Sequence, residues 1–365
     1  MRRKLNPAPL VCAVAAAAAV ALLSGCTDMS YLLQSAKGHI DIVRAARPVD
    51  EWLAEENTPE ALKQRLRLAQ MLRRYAVDTL KLPDNASYKR YAALQRRAAV
   101  WNVVAAPAYS LKPKDWCFPV TGCVSYRGYF AEQDAQALAS NLRAQGLEAS
   151  VYPVPAYSTL GWTNWLGGDP LLSTFIHYPE GELARMIFHE LAHQVLYAQG
   201  DTAFNESFAT AVERLGSAAW LANPDHAAAQ QEYTSFDARR QAFRALTAVT
   251  RRNLQAVYGD DETTSAPTPQ QEEKKVAAYA EFRAAYAQLK TSWGGYNRYD
   301  TWVANANNAS FAALAAYDDW VDAFEALFVR SNGDWAAFYS AAKELADLPK
   351  EPRTLRLQQL KNATP

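Results

Sequence analysis

Apolar residues recur every three or four positions over much of the chain, the period of a helix with one buried face. Val49, Trp52 and Leu53 begin one such stripe, and Leu62, Leu66, Leu68, Ala69, Leu72 and Ala76 continue a second. Pro59 suits an early helix position and Pro83 ends the long element. A further helix is predicted over residues 88–104, with Pro107 beyond it. The period then changes. Residues 123–130 and 148–154 read as strands on either side of a helix over 131–145, which Gly146 closes. Residues 172–178 read as a short strand directly before another helix. After Glu213 the pattern is helical again, with Leu215, Trp220 and Leu221 apolar and Pro224 breaking the run. Residues 260–271, rich in Pro, Thr and acids, form a linker or surface loop. An amphipathic helix over 272–289 is followed by the glycine–aromatic stretch from Trp293 to Tyr299, then by helices over 310–328 and 334–345. No fixed repeat stands out, which disfavours a solenoid. The expectation is an α+β fold, mainly α-helical, with a small β-sheet and flanking helices.

The chemistry concentrates in one apolar run, residues 186–194, which contains His189-Glu190-Leu191-Ala192-His193. Residues four apart share a helix face, so both imidazoles can offer a nitrogen to one metal ion. Glu190 stands about 100° round from His189, close enough to reach a water at that metal without being a ligand. The helix is expected to run on through Val195, Leu196 and Tyr197 and to stop at Gly200. Asp201 or Thr202 can cap a second helix carrying Asn205, Glu206 and Glu213. A hairpin turning between Gln199 and Gly200 sets 193 level with 206, each roughly 10 Å of helix from the turn. Glu206 is therefore where a third ligand would stand. Two His and one Glu, with a fourth position left to water, make the ligand set of a catalytic site for one Zn2+ ion.

At these residues the chain resembles the gluzincin metallopeptidases, in which H-E-x-x-H is followed by N-E-x-x-A. Asn205-Glu206-Ser207-Phe208-Ala209 is similar to the N-E-G-F-A stretch of the large zinc aminopeptidases. The wider chain resembles a family of bacterial lipoproteins described as aminopeptidases. That likeness rests on Trp116-Cys117-Phe118-Pro119 through Tyr126-Arg127-Gly128-Tyr129-Phe130, on Tyr157-Ser158-Thr159-Leu160-Gly161, and on Asn307-Asn308-Ala309. The resemblance implies a zincin-like active-site helix pair and aminopeptidase activity on a peptide substrate. Two departures limit it. The interval between His193 and Glu206 is twelve residues, shorter than in the large enzymes, and no G-x-M-E-N stretch precedes the motif. Thr210 stands where the thermolysin-like pattern has an Asp behind a ligand. Glu213, one turn further on, can orient a metal-bound His in its place, with Asn205 as a second supporting residue. The bland reading of Glu213 is a solvated helix charge.

In this reading Glu190 takes a proton from the attacking water and passes it to the leaving amine. A donor must face the developing oxyanion, and Tyr296 or Tyr299 can serve if their loop folds over the hairpin. With nineteen Tyr in the chain, simple packing is the competing reading for both. The strand before the motif helix can pair with an extended peptide, which would bring His177 to substrate or leave it an exposed edge residue. Glu180 and Glu182 can attract an ammonium group or merely favour the helix start. His39 reads as a surface residue and His226 as a loop residue. Two alternatives stand beside the aminopeptidase: a zinc endopeptidase, and a non-enzymatic envelope lipoprotein whose helices bind a partner. Glu190 weighs against the last, since a structural metal site does not need that acid.

Residues 1–25 read as a targeting segment. Arg2, Arg3 and Lys4 precede an apolar run over 10–23, short for a membrane span, that ends in Leu23-Ser24-Gly25-Cys26. This resembles a bacterial lipobox, implying acylation of Cys26 and a membrane anchor at the cell envelope, facing the periplasm. Thr27 after the Cys resembles the outer-membrane sorting pattern. In that compartment Cys117 and Cys123 would close a small disulfide loop, or hold zinc with ligands from elsewhere. Lys and Arg balance Asp and Glu at 38 each, which gives no support for nucleic-acid binding. Beyond the signal, an N-terminal helical region (26–110), a catalytic region (111–259) and a C-terminal helical region (260–365) are expected to pack as one body.

Overall fold

A computed structural model of the chain describes residues 30–118, 122–156, 167–259, 267–318 and 320–362. The Cys26 lipobox, the stretch 157–161 and most of the acidic linker lie outside these residues. The fold is mainly helical with small sheets, the α+β class expected. Among the described residues no helix is long and apolar enough to cross a membrane.

The largest departure from the sequence pattern is a strand. Val100–Pro107 (β3) is buried along almost its whole length, and the helix expected over 88–104 does not form. β3 is the centre of a three-stranded antiparallel sheet, flanked by Arg127–Tyr129 (β6) and Leu147–Val154 (β7). Helix α4 (Glu132–Ala144) covers one face, setting Ala135, Ala139 and Leu142 against Trp101, Val103 and Ala105. Helix α10 (Asn308–Asp318) covers the other, with Ala309 and Ala312 against Val104 and Ala106. A strand covered on both faces has a continuous apolar run and no alternation, so its period does not separate it from a buried helix. A second small sheet joins Ala46–Pro48 (β1), Arg90–Ala92 (β2) and Leu171–Leu172 (β8).

The strand expected over 172–178 stops after Leu172. The N–H groups of Phe175 and Ile176 both return to the Leu172 carbonyl, at 3.2 and 3.0 Å, and make a turn. Leu172, Phe175 and Ile176 are spaced by three and four, so a turn buries all three side chains together. Arg65 donates to the carbonyls of Ile176 and Tyr178. Strand addition of a peptide over 172–178 thus has no template. The strand expected over 123–130 is two strands: Gly122–Val124 (β5), paired with Trp116–Phe118 (β4), and β6. Cys117 lies opposite Cys123 in that ladder and the two are joined as a disulfide.

The core is built on helix α5 (Glu180–Ala192) and helix α6 (Thr202–Leu221), which pack against each other. α5 buries Leu183, Ala184, Ile187, Phe188 and Leu191; α6 buries Phe204, Phe208, Ala211 and Val212. The approach is close at Gly216, where a Cβ would meet Leu80 at 2.7 Å and Phe188 at 3.1 Å. Helix α3 (Glu60–Asp78) lies against α5, while α10 and helix α11 (Val321–Arg330) lie against α6. Helix α1, residues 30–45, turns Ile42 into the same core, which runs from Ile42 to Leu360. A second apolar cluster holds together the hairpin of helices α7 (Ala227–Tyr258) and α8 (Pro269–Ser292) through Phe243, Phe282 and Phe311. The closing helix over Lys350–Asn362 (α13) carries no strong apolar stripe and was not anticipated. Its buried Arg353 pairs with Asp201 at 2.8 Å.

The backbone at Gly168 is packed tightly against the 86–87 segment. Gly168 has φ +65°, and a Cβ there would sit 2.5 Å from the Ser87 nitrogen. Gly168→Ala should therefore lower stability by ~2 kcal/mol or more, read as a fall in the urea midpoint at unchanged slope. An unchanged midpoint would show that the 86–88 and 168 backbones do not meet.

Candidate metal centre

The motif helix ends sooner than its apolar pattern suggests. α5 stops at Ala192, and the next turn tightens, with Gln194 N bonded to Leu191 O at 3.1 Å and Val195 N to Ala192 O at 2.9 Å. Gly200, at φ +73°, makes the reversal. Two side chains then fix where α6 begins. Asp201 caps it, its Oδ1 accepting from Phe204 N at 3.1 Å, while its Oδ2 accepts from Arg353. Asn205 spans the turn: Oδ1 accepts from Ala198 N at 2.8 Å and Nδ2 donates to Ala198 O at 2.9 Å. The amide of Asn205 is thereby spent on the turn, and the register it sets brings Glu206 level with the two histidines.

The three expected ligands converge. His189 Nε2 and His193 Nε2 lie 3.1 Å apart, and Glu206 Oε2 is 3.4 Å from the first and 3.7 Å from the second. Four-coordinate zinc with bonds of about 2.0–2.1 Å requires donor–donor edges of roughly 3.3 Å. The observed triangle brackets that length, so these residues fit such an ion. The side chains of His189 and Glu206 each keep 14% of their surface exposed, and His193 keeps 8%. A ligand can reach the site.

Behind the triangle runs a chain of alternating charge. Glu213 Oε2 lies 3.0 Å from His189 Nδ1, off the line of the ring N–H. The other Glu213 oxygen accepts from Arg185 Nε at 2.9 Å and also from Arg185 Nη2. Arg185 pairs in turn with Glu182 at 3.2 Å, and Glu182 with Arg240 of α7. Burial opposes the charge on Glu213, yet Arg185 and His189 hold its carboxyl well below the usual range. Burial also opposes a charged ring at His189, but Glu206 and Glu213 outweigh it and lift that imidazole to about 10. His193 is pushed down to about 4 by burial. Burial disfavours ionised Glu206 too, and His193 and His189 still keep it below its ordinary value. Glu190 is raised to about 7 by burial, with the His189 charge opposing and Glu206, Asp169 and Glu213 reinforcing.

Other expected residues lie elsewhere. Tyr299 stacks on Phe243 with ring centroids 4.0 Å apart, and Arg239 lies 4.6 Å from the centre of the Tyr296 ring, so both rings pack on α7. The tyrosines on which the Glu206 charge acts are Tyr126 and Tyr197, both raised first by burial and next by Glu206. Tyr126 also lines a cavity of about 250 Å³ with Tyr152, Thr202 and Ala203, on the first turn of the helix that carries Glu206. His177 is exposed in the turn before α5. Glu180 pairs with His226 at 2.7 Å and Glu182 with two arginines, so neither acid faces solvent alone. His226 belongs to a short 3-10 turn, Pro224–His226, and its ring packs on Trp220. His39, expected at the surface, has both ring nitrogens enclosed, because α1 turns this side toward the core. Arg185 was not singled out from the sequence, although its place four residues before His189 puts it on the same helix face.

A family model described as "Putative aminopeptidase" matches residues 30–357. No curated protein and no solved structure matches the chain.

The electrostatics of the triangle predict how it takes up metal. His189 holds a proton at neutral pH, whereas His193 and Glu206 do not, so binding a divalent cation must expel about one proton. The sign follows from the raised value at His189: affinity should increase with pH up to about 10 and weaken as pH falls. Calorimetric zinc titrations at pH 7, in buffers of different ionisation enthalpy, should report close to one proton released per ion. Release of none would contradict the charge state described for His189.

Proposed function

The chain belongs to this aminopeptidase family, and on that premise we propose that it is a zinc-dependent peptidase that removes residues from the amino terminus of peptides. The observation that carries the proposal is the convergence of His189, His193 and Glu206, with Glu190 next to His189 in the chain. These three residues would hold one Zn2+ and leave a fourth position to solvent or substrate. The ion supplies Lewis acidity toward the attacking water and the scissile carbonyl. Glu190 takes the proton from that water and delivers it to the leaving amine. A carboxyl poised at about 7 can do both near neutrality. Glu213, backed by Arg185, draws the His189 proton to Nδ1 and so turns the Nε2 lone pair toward the metal. The Glu206 charge acts on Tyr126 and Tyr197, whereas Tyr296 and Tyr299 pack on α7, so we take one of the first two as the donor to the developing oxyanion. The family description supports aminopeptidase specificity. The lipobox-like sequence ending at Cys26 supports an acyl-anchored enzyme of the bacterial envelope, facing the periplasm, with the outer membrane as destination.

Glu190→Gln should reduce kcat by on the order of 10²–10⁴-fold while keeping bound zinc and the melting temperature. Unchanged turnover would remove Glu190 from the mechanism. Free peptides should be cleaved and amino-acetylated ones should not. Equal cleavage of both would turn the reading toward an endopeptidase.

A further inference from the structure

The cavity of about 250 Å³ beside the first turn of α6 adjoins the metal centre through that helix. Thr202 and Ala203 line it, and they precede Glu206 by four and three residues. Side chains at those spacings share a helix face, with Cβ atoms about 5–6 Å apart. The space therefore opens one helical turn from the carboxylate that completes the ligand triangle. An extended peptide covers at most about 3.6 Å per residue. With its scissile carbonyl at the triangle, a substrate reaches the cavity with the first or second residue beyond the cut bond. The volume is smaller than that of sites enclosing drug-sized ligands, roughly 300–1,000 Å³, and suits the end of a small peptide.

The charges in this space decide which end of a peptide it takes. Asp115, Asp201, Arg251 and Lys350 line it. Both acids are engaged: Asp201 accepts from Phe204 N at 3.1 Å and pairs with Arg353 at 2.8 Å, while Asp115 accepts from the Ser125 hydroxyl at 2.7 Å. Lys350 stands three residues before Arg353 in α13 and has no hydrogen bond or ion pair among the described residues. With Arg353 counted, three cations (Arg251, Lys350, Arg353) meet two carboxylates (Asp115, Asp201). Tyr126 adds a phenol that burial keeps protonated, and so a further donor. Cations in excess repel the ammonium at the amino end of a peptide and attract a carboxylate. Val104, Leu111 and Ala312 supply apolar wall for the side chain beside that carboxylate.

We propose that this cavity binds the free C-terminal carboxylate of a di- or tripeptide whose scissile carbonyl lies at the metal centre, with Lys350 and Arg251 as its cationic partners. The substrate class is then short peptides with both termini free. The inference rests on the peptidase reading and adds to it residues outside the metal ligands.

Leu-Gly-Gly and its carboxamide, presented to the full zinc-loaded chain, test the assignment. The free acid should show a kcat/KM about tenfold or more above that of the amide, the gain expected of a charge-assisted hydrogen bond. Lys350 is exposed, so Lys350→Met leaves the core intact. That substitution should cut kcat/KM for the acid about tenfold and leave the amide within about twofold. Calorimetry with the Glu190→Gln chain should give the same contrast between acid and amide as a difference in binding. Equal values for acid and amide, or a preference that survives Lys350→Met, would overturn the inference and leave the peptidase reading standing. A Lys350-dependent preference for Leu-Glu amide over Leu-Gln amide, with none for the terminal acid, would assign the cavity to an acidic side chain and overturn it likewise. A wild-type chain that hydrolyses no peptide, yet binds the acid more tightly than the amide through Lys350, would overturn the peptidase reading and leave the carboxylate site standing.

Discussion

Lone pairs that converge in a half-buried crevice repel one another unless a cation or protons lie among them. That constraint governs this molecule. Two imidazole nitrogens and a carboxylate oxygen meet within 3.1–3.7 Å of one another, and α5 and α6 are fixed so that they cannot easily part. The surrounding charges alternate outward through Glu213, Arg185, Glu182 and Arg240. Each buried charge in that series has an opposite neighbour, which offsets the cost of taking it out of water. The last link belongs to α7, so the second apolar cluster is fastened to the site by an ion pair as well as by packing. Helix α13 is fastened in the same manner, through Arg353 to the residue that caps α6.

The site was more legible in the sequence than the path that builds it. The four-residue spacing of His189 and His193 is a property of any helix, and the motif lies wholly within α5 and its cap. Glu206 followed from counting residues back from a turn at Gly200. The count assumed a helix continuing to Tyr197, whereas the chain leaves the α-helix after Ala192. The tightened turn and the grip of Asn205 on Ala198 compensate, and Glu206 arrives at the expected level. Asn205 was expected to support the metal, and its contacts show support of the turn instead.

Other features left no periodic signal. β3 is buried on both faces by elements from distant parts of the chain, so an apolar run with Trp and Val matched a helix equally well. The segment after Leu172 has the spacing of a turn, and its short length made it look like a strand. Tyr88 adopts a left-handed backbone because Asp169, Arg73 and Gln194 hold it there, and no local residue preference announces such a conformation. Tyr296 and Tyr299 were singled out by the glycines near them, but the aromatic faces of α7 and α8 offered those rings a better place.

Metal content after exhaustive dialysis, measured for the wild-type chain beside Glu206→Ala, tests the central claim most directly. The account predicts close to one zinc per wild-type chain. In the variant, loss of the third ligand should weaken binding at least tenfold and leave the helical signal intact. Equal zinc in the two proteins, or none in the wild type under zinc-replete conditions, would contradict it.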